Sequence, residues 1–317
     1  MNLQKEAKEL RKLWGGFWSA RVLLTANNFD AFDYLKSPKT AGEIAKILET
    51  DNRATEIVLD ALTGLGLLKK SGTKYKNSST ANRFLVKGMP YYQGDIIRHA
   101  DTLWKNWSGL DEIMKTGEPN RAAHNHETFI KGMHNIAFMK AKDVINVIDL
   151  KGVKNALDLG GGPGTYCMEM AKRGVSVTLF DRHETIKIAK EVIGKSKAKG
   201  IDFIEGDFIA DDIGKGYDLI FISQVLHAFT EKNCMSIIKK SKAALNPKGR
   251  IVIQEFYIDK SRTMPPQSAL FSVNMLVNTH GRCYAPEEMK QWLSKAGLKN
   301  VKHKIFNDSV MVEGVKK

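Results

Sequence analysis

The sequence predicts an α/β protein in which a mainly helical, winged-helix-like first third precedes a parallel sheet. After Lys151, short apolar segments alternate with amphipathic helical ones, which indicates βαβ units and a parallel sheet. Before that residue, apolar side chains recur mostly at helical spacing. At the first strand-to-helix junction, Gly160 to Gly164 consists mainly of glycine, which points to a ligand site.

The first third has the order helix, turn, helix, hairpin, which is that of a winged-helix module. Thr40 to Glu43 has the form of a capping box and opens a short helix that ends at Leu48. A second helix is predicted from Arg53 to about Thr63, and Ser71-Gly72-Thr73 can turn a small hairpin. Upstream of these, an apolar stripe predicts a face that is buried or contacts another molecule: Trp14, Phe17, Trp18, Val22, Leu23 and Phe29.

The remaining two thirds divide at about residue 150. Residues 91–150 have a helical pattern with a break at Gly117 to Asn120. Five predicted strands follow, ALDLG, VSVTLFD, IDFIEGD, YDLIFIS and RIVIQEF, with the turn NPKGR before the last. Two C-terminal strands are joined by Asn307-Asp308, a plausible two-residue hairpin turn. We therefore predict three parts: residues 1–88, 89–150 and 151–317.

Composition describes an ordinary globular chain. The 317 residues are 43% hydrophobic and 26% charged, and the net charge is +14. This charge would admit nucleic acid as a partner, but the lysines are scattered, which favours a solvated surface. The chain begins without the form of a secretory signal, and no apolar run approaches the roughly 20 residues of a membrane span. Cys167, Cys234 and Cys283 lack ligand spacing and indicate reduced thiols in a cytoplasmic protein.

The glycines follow a strand and precede a helix, where a ligand can approach bare backbone beside free N–H groups. Dinucleotides and S-adenosylmethionine both use such a junction. The third glycine of the dinucleotide fingerprint is replaced here by Thr165. Instead the glycines run Gly160-x-Gly162-x-Gly164, and Asp158 stands two residues ahead of them.

Acidic residues close the next two strands. Asp181 ends VTLFD, where a carboxylate can bind both ribose hydroxyls of a nucleoside. Asp207 and Phe208 end the third strand, where they can meet the adenine amino group and the base. All these strand ends converge on one crevice of an open sheet. The alternative is that Asp181 and Asp207 only cap the helices that follow.

The blocks LDLGGGPGTY, VTLFD, EGDF and SQVLHAFTEKNC together resemble the class I S-adenosylmethionine-dependent O-methyltransferases of the caffeate and hydroxyindole type. The likeness covers nearly the whole chain. It implies a Rossmann-like class I methyltransferase domain over residues 151–317 and a winged-helix dimerisation domain over residues 1–88. The segment HADTLWKNWSGLDEIMKTGEP resembles the family's helical connector, so residues 89–150 are expected to line the acceptor pocket.

The resemblance implies S-adenosylmethionine as cofactor, S-adenosylhomocysteine as product and no metal. The expected cofactor-binding residues are Asp158, Gly160, Gly162, Asp181, Arg182, Asp207, Phe208 and Ser223. The pair His124-x-His126 could suggest a metal, but no third ligand stands nearby.

Two residues are expected to be catalytic. A hydroxyl acceptor must lose a proton, and His227 lies just past YDLIFIS, at the edge of the sheet that carries the glycines. In the family, the matching histidine is the general base, and a carboxylate that matches Glu255 holds its other nitrogen.

Two residues depart from the family's pattern. Where Ala228 stands, the family often has Asp, and where Cys283 stands, plant members have a second catalytic Glu. These departures leave C- or N-methylation, or a repurposed non-methylating role, as alternatives to O-methylation. Cys283 is better explained as a small buried residue than as a nucleophile.

The acceptor is expected to be a small aromatic or otherwise flat apolar molecule. Met side chains suit such an acceptor, and two Asn one helical turn apart can orient a polar substituent. The positions that match the family's substrate-lining residues are Phe129, Met133, Phe271, Asn274, Met275 and Asn278. For Phe129 and Phe271, simple helix packing is an equally good explanation.

Two other classes of protein compete with this interpretation. A winged-helix DNA-binding regulator would expose basic side chains on its second helix, but NRATEIVLDALTGLGLL offers Arg53 and is otherwise largely apolar. That composition favours packing against another subunit, so we predict a homodimer and no nucleic-acid partner. An NAD-dependent dehydrogenase would bind NADH rather than S-adenosylhomocysteine.

Overall fold

The computed structural model describes residues 3–120 and 122–317. They form two compact units, the first ending at Asp101 and the second running from Thr102 to Lys317. No helix of the described residues combines the length and the apolar character needed to cross a bilayer.

The N-terminal unit is mainly helical. Its helices are α1 (Leu3–Gly15), α2 (Phe17–Asn28), α3 (Ala31–Tyr34), α4 (Ala41–Leu48), α5 (Asn52–Gly64) and α6 (Ser79–Phe84), and α7 (Gly94–Trp107) begins in it. The strands β1 (Lys39–Thr40), β2 (Leu68–Ser71) and β3 (Lys74–Asn77) form an antiparallel sheet in the order β1-β3-β2. The predicted helix, helix and hairpin are confirmed at nearly the predicted residues.

Local sequence explains where α4 begins. The Thr40 N–H donates to Glu43 Oε2 at 2.7 Å, and the Glu43 N–H donates to Thr40 Oγ1 at 3.3 Å. These reciprocal bonds are the predicted capping box. Behind α4 and α5, the core of this unit holds Phe32, Ile44, Leu62 and Tyr75.

The upstream apolar stripe is largely exposed within its unit. Helix α1 buries none of its residues, and Trp14 and Trp18 are 59% and 62% exposed. Phe17 and Phe29 are also exposed, while Val22 and Leu23 pack partly against the core. Of the two predicted fates for the stripe, burial inside the unit therefore applies to Val22 and Leu23 alone.

The second unit alternates strands and helices along the chain. Its helices after α7 are α8 (Leu110–Thr116), α9 (His126–Val147), α10 (Thr165–Ala171), α11 (His183–Ser196), α12 (Glu231–Ala244), α13 (Pro266–Asn278) and α14 (Pro286–Lys295). Its strands are β4 (Asn155–Leu159), β5 (Ser176–Asp181), β6 (Ile201–Glu205), β7 (Tyr217–Ser223), β8 (Leu245–Phe256), β9 (Lys299–Phe306) and β10 (Ser309–Val315). A short 3-10 turn, Leu226–Ala228, follows β7. Every strand predicted from the sequence is present.

The sheet has the order β6-β5-β4-β7-β8-β10-β9. Strands β4 to β8 pair in parallel, and β10 pairs antiparallel to both β8 and β9. The chain moves outward from β4 to β6 and then returns to β7, so the direction of winding reverses between β4 and β7. Ligands of open α/β sheets bind at such a reversal, beside the carboxyl ends of the strands. The Rossmann-like fold predicted from the sequence is confirmed.

Strand β8 is longer than predicted because the segment Asn246 to Gly249 forms an irregular extension of it. The pairing with β7 shifts from Leu245 opposite Tyr217 to Arg250 opposite Leu219, and Lys248 has φ of 65°. Both faces of the sheet are buried. Alternate residues contribute to two separate cores, so Ile251 and Ile253 lie on one face and Val252 on the other.

Candidate active site

The glycine turn lies where β4 meets the reversal in the sheet. Gly160 and Gly162 have φ of 71° and 54°, a region that favours glycine. A Cβ on Gly160 would stand 2.8 Å from Val225 Cγ2, just after β7, and 3.5 Å from Phe208 Cε1. The backbone of the turn therefore approaches the neighbouring strand end so closely that only glycine fits at residue 160.

Asp158 supports this turn from inside the protein. It is 1% exposed, and its Oδ2 accepts a hydrogen bond from Cys167 Sγ at 3.0 Å, while Oδ1 has no partner among the described residues. Burial raises the pKa of the Asp158 carboxyl to about 7 and that of the Cys167 thiol well above its ordinary value. A Cβ on Gly161 would lie 3.0 Å from Asp158 Oδ2. The structure thus places Asp158 beneath the turn rather than on an open surface.

Asp181 connects the glycine turn to the end of β5. Its Oδ2 accepts from the Gly162 N–H at 2.9 Å and its Oδ1 from the Arg182 N–H at 2.8 Å. Burial raises the pKa of the Asp181 carboxyl, and these two N–H donors oppose the rise. The Thr185 side chain also hydrogen-bonds this carboxyl, and Asp181 as a residue remains partly exposed.

Asp207 and Phe208 extend the site past β6. Asp207 Oδ1 accepts from the Ile209 N–H at 2.8 Å, and the Arg182 guanidinium lies 3.7 Å from Oδ2. The Phe208 ring packs against Phe229, with 5.7 Å between centroids. Helix α11 has Arg182 as N-cap without a side-chain capping bond.

His227 and Glu255 form a hydrogen-bonded pair. His227 Nδ1 lies 2.6 Å from Glu255 Oε2, and Glu255 Oε1 accepts from the Leu226 and His227 N–H groups at 2.9 and 3.3 Å. The Glu255 residue is 2% exposed and the His227 side chain 12%. The strand alternation that buries Ile253 places Glu255 on the same face as the 3-10 turn. One carboxylate thus holds both the backbone and the ring of the turn.

Gly281 packs against the opposite side of this turn. A Cβ at residue 281 would lie 2.0 Å from the His227 carbonyl oxygen. The loop after α13 consequently closes on the backbone of His227 and Ala228, with no room for a side chain. His227 is held from two directions.

Aromatic rings surround the imidazole. Phe271 lies 5.0 Å from the His227 ring at 88°, and Phe256 lies 6.1 Å from it. The two phenylalanine rings are 4.4 Å apart. Cys283 lies near them, 2% exposed, and burial raises the pKa of its thiol to about 11. Cys283 is a buried small residue, as expected from the sequence.

The two predicted asparagines share one face of α13, but they bond to each other and to α7. Asn278 Nδ2 donates to Asn274 Oδ1 at 3.1 Å, and Trp107 Nε1 donates to the same oxygen at 2.9 Å. Asn106 Nδ2 donates to Asn278 Oδ1 at 2.8 Å. These amides form a network that ties α13 to the end of α7.

The other predicted lining residues lie on two helices. Met275 is buried on α13, and Phe129 and Met133 are partly buried on α9.

Two further sequence predictions concern the cofactor and a metal. Ser223, predicted to bind the cofactor, donates to Gln254 Oε1 at 2.6 Å. The rings of His124 and His126 are 5.8 Å apart, and residues 3–120 and 122–317 contain no group of three or more potential metal ligands.

Several residues of the site were not identified from the sequence: Phe256, Gln254, Asn106, Trp107 and Lys140. Gln254 and Phe256 flank Glu255 in the segment QEF, so the position of Glu255 at a strand end could have pointed to them. Lys140 continues the helical spacing of Phe129 and Met133, which is a second available signal. Asn106 and Trp107 carry no such signal.

A Rossmann-like sheet with a glycine turn at its reversal, and a histidine–carboxylate pair beside it, define the class of this protein as a methyltransferase. Residues 91–299 match the O-methyltransferase domain, and residues 12–87 match the O-methyltransferase dimerisation domain. The chain belongs to the O-methyltransferase family and is an enzyme of that family.

Individual relatives cover the chain almost from end to end. A 3-hydroxy-5-methyl-1-naphthoate 3-O-methyltransferase from Streptomyces sahachiroi is 30% identical over 92% of this chain and 90% of its own length. An acetylserotonin O-methyltransferase from Gallus gallus is 28% identical over 90% of each chain. The crystal structure of human N-acetylserotonin methyltransferase in complex with SAM has a TM-score of 0.90 and 24% identity, covering 100% of this chain and 99% of the human one. This last likeness concerns the fold.

Proposed function

We propose that this enzyme transfers a methyl group from S-adenosylmethionine to a hydroxyl oxygen of a small, flat aromatic acceptor, with His227 as general base. The observation that carries the proposal is the 2.6 Å bond between His227 Nδ1 and the buried Glu255 carboxylate, at the edge of the sheet where the glycine turn lies. The relatives named for a hydroxynaphthoate and for acetylserotonin support an aromatic acceptor.

The residues of the glycine turn and the next two strand ends fit an adenosyl cofactor. Apart from the chain neighbours of Gly162, no atom of the described residues lies within 4 Å of the space that a Cβ there would fill, and the Asp181 carboxylate binds the Gly162 N–H. In the proposal, Asp181 holds the ribose hydroxyls, Asp207 the adenine amino group, and Phe208 lies beside the base. Asp158 contributes through the turn that it supports. Arg182 and Ser223 are proposed to lie at the margin of this site.

When bound, S-adenosylmethionine supplies an activated methyl group, which bonds the acceptor oxygen as the carbon–sulfur bond breaks. The chain has to align the acceptor and remove its proton. Because Glu255 Oε2 accepts from Nδ1, the imidazole carries its proton there and presents Nε2 as the base. The hydroxyl proton moves to Nε2, and Glu255 stabilises the imidazolium that results. With Ala228 and the buried Cys283 in place of further carboxylates, this is a one-carboxylate version of the family's site.

The acceptor is proposed to lie among the rings beside His227. Phe271 stands against the imidazole, and Met275 and Met133 supply soft apolar surface from α13 and α9. Asn274 is proposed to orient a polar substituent through its amide nitrogen, with Asn278 holding its amide oxygen in place, and Phe129 is proposed to close the apolar lining.

Calorimetry tests the cofactor directly. We expect S-adenosylhomocysteine to bind with a micromolar or tighter Kd and NADH to show no saturable heat. Asp181→Ala should weaken S-adenosylhomocysteine binding by about 10- to 100-fold, because it removes a charged hydrogen-bond acceptor. Asp202→Ala is the matched control, since it removes an exposed carboxylate from the neighbouring strand. Tight NADH binding without S-adenosylhomocysteine binding would overturn the proposed function.

We also propose that the enzyme is a homodimer assembled through its N-terminal unit. The dimerisation domain at residues 12–87 and the exposed Trp14 and Trp18 support this arrangement. Sedimentation velocity at micromolar concentration should show a dimer. The double substitution Trp14→Ser with Trp18→Ser should shift it toward monomer, while the control Tyr34→Ser, at another exposed aromatic, should not. A wild-type monomer would rule the dimer out.

The cytoplasmic location expected from the sequence stays a prediction. Cys167, Cys234 and Cys283 are all buried free thiols. The proposed partners of the enzyme are a small-molecule acceptor and a second copy of the chain.

A further inference from the structure

Helix α9 carries one cation on the face that the proposed acceptor residues share. Phe129, Met133, Ile136 and Lys140 follow one another at intervals of three and four residues, so they occupy one stripe of the helix. All four are partly buried. The adjoining stripe, which includes Ala137 and Ala141, is buried in the core of the sheet. Lys140 is the single charged member of the first stripe.

The Lys140 ammonium lies close to the aromatic rings that surround His227. Its Nζ lies 5.7 Å from the centroid of the Phe256 ring. The same ring neighbours His227 at 6.1 Å and Phe271 at 4.4 Å. A flat molecule lying along Phe256 with a hydroxyl at His227 therefore has a positive charge within reach of its other substituents.

Apart from its contact with the Phe256 ring, this ammonium has no hydrogen-bond or ion-pair partner among residues 3–120 and 122–317. Lys140 forms no hydrogen bond there, and no carboxylate stands within ion-pairing distance. Lys240 shows the contrast, because its Nζ donates to the carbonyl oxygens of Phe208, Ile209 and Asp211 at 2.9, 2.8 and 2.6 Å. Lys242, also partly buried, donates to the Ala296 carbonyl oxygen at 2.8 Å.

Two carboxylates, Asp308 and Glu255, attract the Lys140 charge, and neither forms an ion pair with it. Burial outweighs this attraction, so the pKa of the ammonium is lowered. Glu255 binds His227 and the Leu226 N–H, and Asp308 Oδ1 accepts from Ser309 Oγ at 3.1 Å. A cation withdrawn from water without a partner is unfavourable, and a bound anion would relieve that penalty.

We propose that Lys140 binds a carboxylate carried by the acceptor, so that hydroxylated aromatic acids are the preferred acceptor class. The inference rests on the proposed function and specifies its substrate. Phe256 would support the aromatic ring, His227 would take the hydroxyl proton, and Lys140 would fix the orientation by a charge-assisted bond to the acid. The competing source of negative charge is the ionised hydroxyl itself, which every acceptor shares.

Matched acceptors separate these two sources. The probes are 3-hydroxy-1-naphthoate and its methyl ester, which present the same hydroxyl with and without the acid. We expect wild type to favour the acid in kcat/KM, and Lys140→Met to lower the acid-to-ester ratio by about 10- to 100-fold, as for the loss of a charged hydrogen bond. Lys140→Arg should keep most of the preference. Lys142→Met, which removes an exposed charge from the same helix, should leave the ratio unchanged.

A binding measurement makes the test independent of turnover. Titration of the naphthoate into protein saturated with S-adenosylhomocysteine should show binding in wild type and a loss of about tenfold or more in Lys140→Met. An unchanged ratio, equal losses for acid and ester, or no acid binding by wild type would each overturn the assignment of Lys140. None of these results touches the proposed function as long as S-adenosylhomocysteine binds and the ester is methylated.

Discussion

Replacing His227 with alanine is expected to lower kcat by about two to four powers of ten. The imidazole is the group that the structure holds ready to take a proton, through its 2.6 Å bond to Glu255. The glycine turn and Asp181 do not touch this side chain, so the Kd for S-adenosylhomocysteine should be nearly unchanged. Steady-state kinetics with a methylated acceptor, paired with calorimetry, measures the two quantities.

A second substitution, at Glu255, tests how much of kcat depends on the charge beside the imidazole. Glu255→Gln keeps an acceptor for the Leu226 N–H but loses the charge that stabilises an imidazolium, so kcat should fall less steeply than in His227→Ala. His303→Ala, at an exposed histidine on β9, serves as the control and should be as active as wild type. Full activity of His227→Ala would remove the base from the mechanism.

Gly160→Ala is expected to weaken S-adenosylhomocysteine binding by about 100-fold or more. The new Cβ would lie 2.8 Å from Val225 Cγ2, so one of the two strand ends that border the crevice has to move. A misplacement of about 1 Å can lower catalytic rate by about two powers of ten, and we expect a loss of similar size in affinity here. Calorimetric titration measures the loss.

Backbone strain alone must be separated from this steric effect. Gly174 has φ of 83°, and apart from its chain neighbours no atom in the described part of the chain lies within 4 Å of its Cβ position, so Gly174→Ala carries the strain without the clash. Gly174→Ala should lose about 1–2 kcal/mol in the free energy of unfolding and bind S-adenosylhomocysteine like wild type, whereas Gly160→Ala should lose more stability because it adds the clash. If Gly160→Ala also binds normally, the crevice between β4 and β7 is not the cofactor site.

Much of the fold could be predicted because its causes are local. The capping box at Thr40 fixes the start of α4 by bonds that span three residues. The Asn307-Asp308 turn and the alternating strands follow from short-range preferences of the same kind. The start of β8 was placed too late because its extension depends on pairing with β7, which no local pattern reveals.

The site divides in the same way. The positions of Gly160, Asp181, Asp207 and His227 at strand ends could be predicted because parallel strands bring their carboxyl ends to one edge. Helical spacing placed Asn274 and Asn278 on one face, but it could not show that Asn106 and Trp107 occupy their amides. Those contacts join residues that are far apart in the chain.

The sequence by itself determined the order of the elements, the glycine turn and the residues that meet at the edge of the sheet. Only the tertiary structure decided that Asp158 is buried beneath the turn, that Glu255 also accepts from the Leu226 N–H, and that Lys140 stands beside Phe256 without an ion-pair partner. The physical reason is one of range. Turns, caps and periodic faces depend on neighbours a few residues away, whereas burial and the pairing of charges depend on which helix packs over which strand.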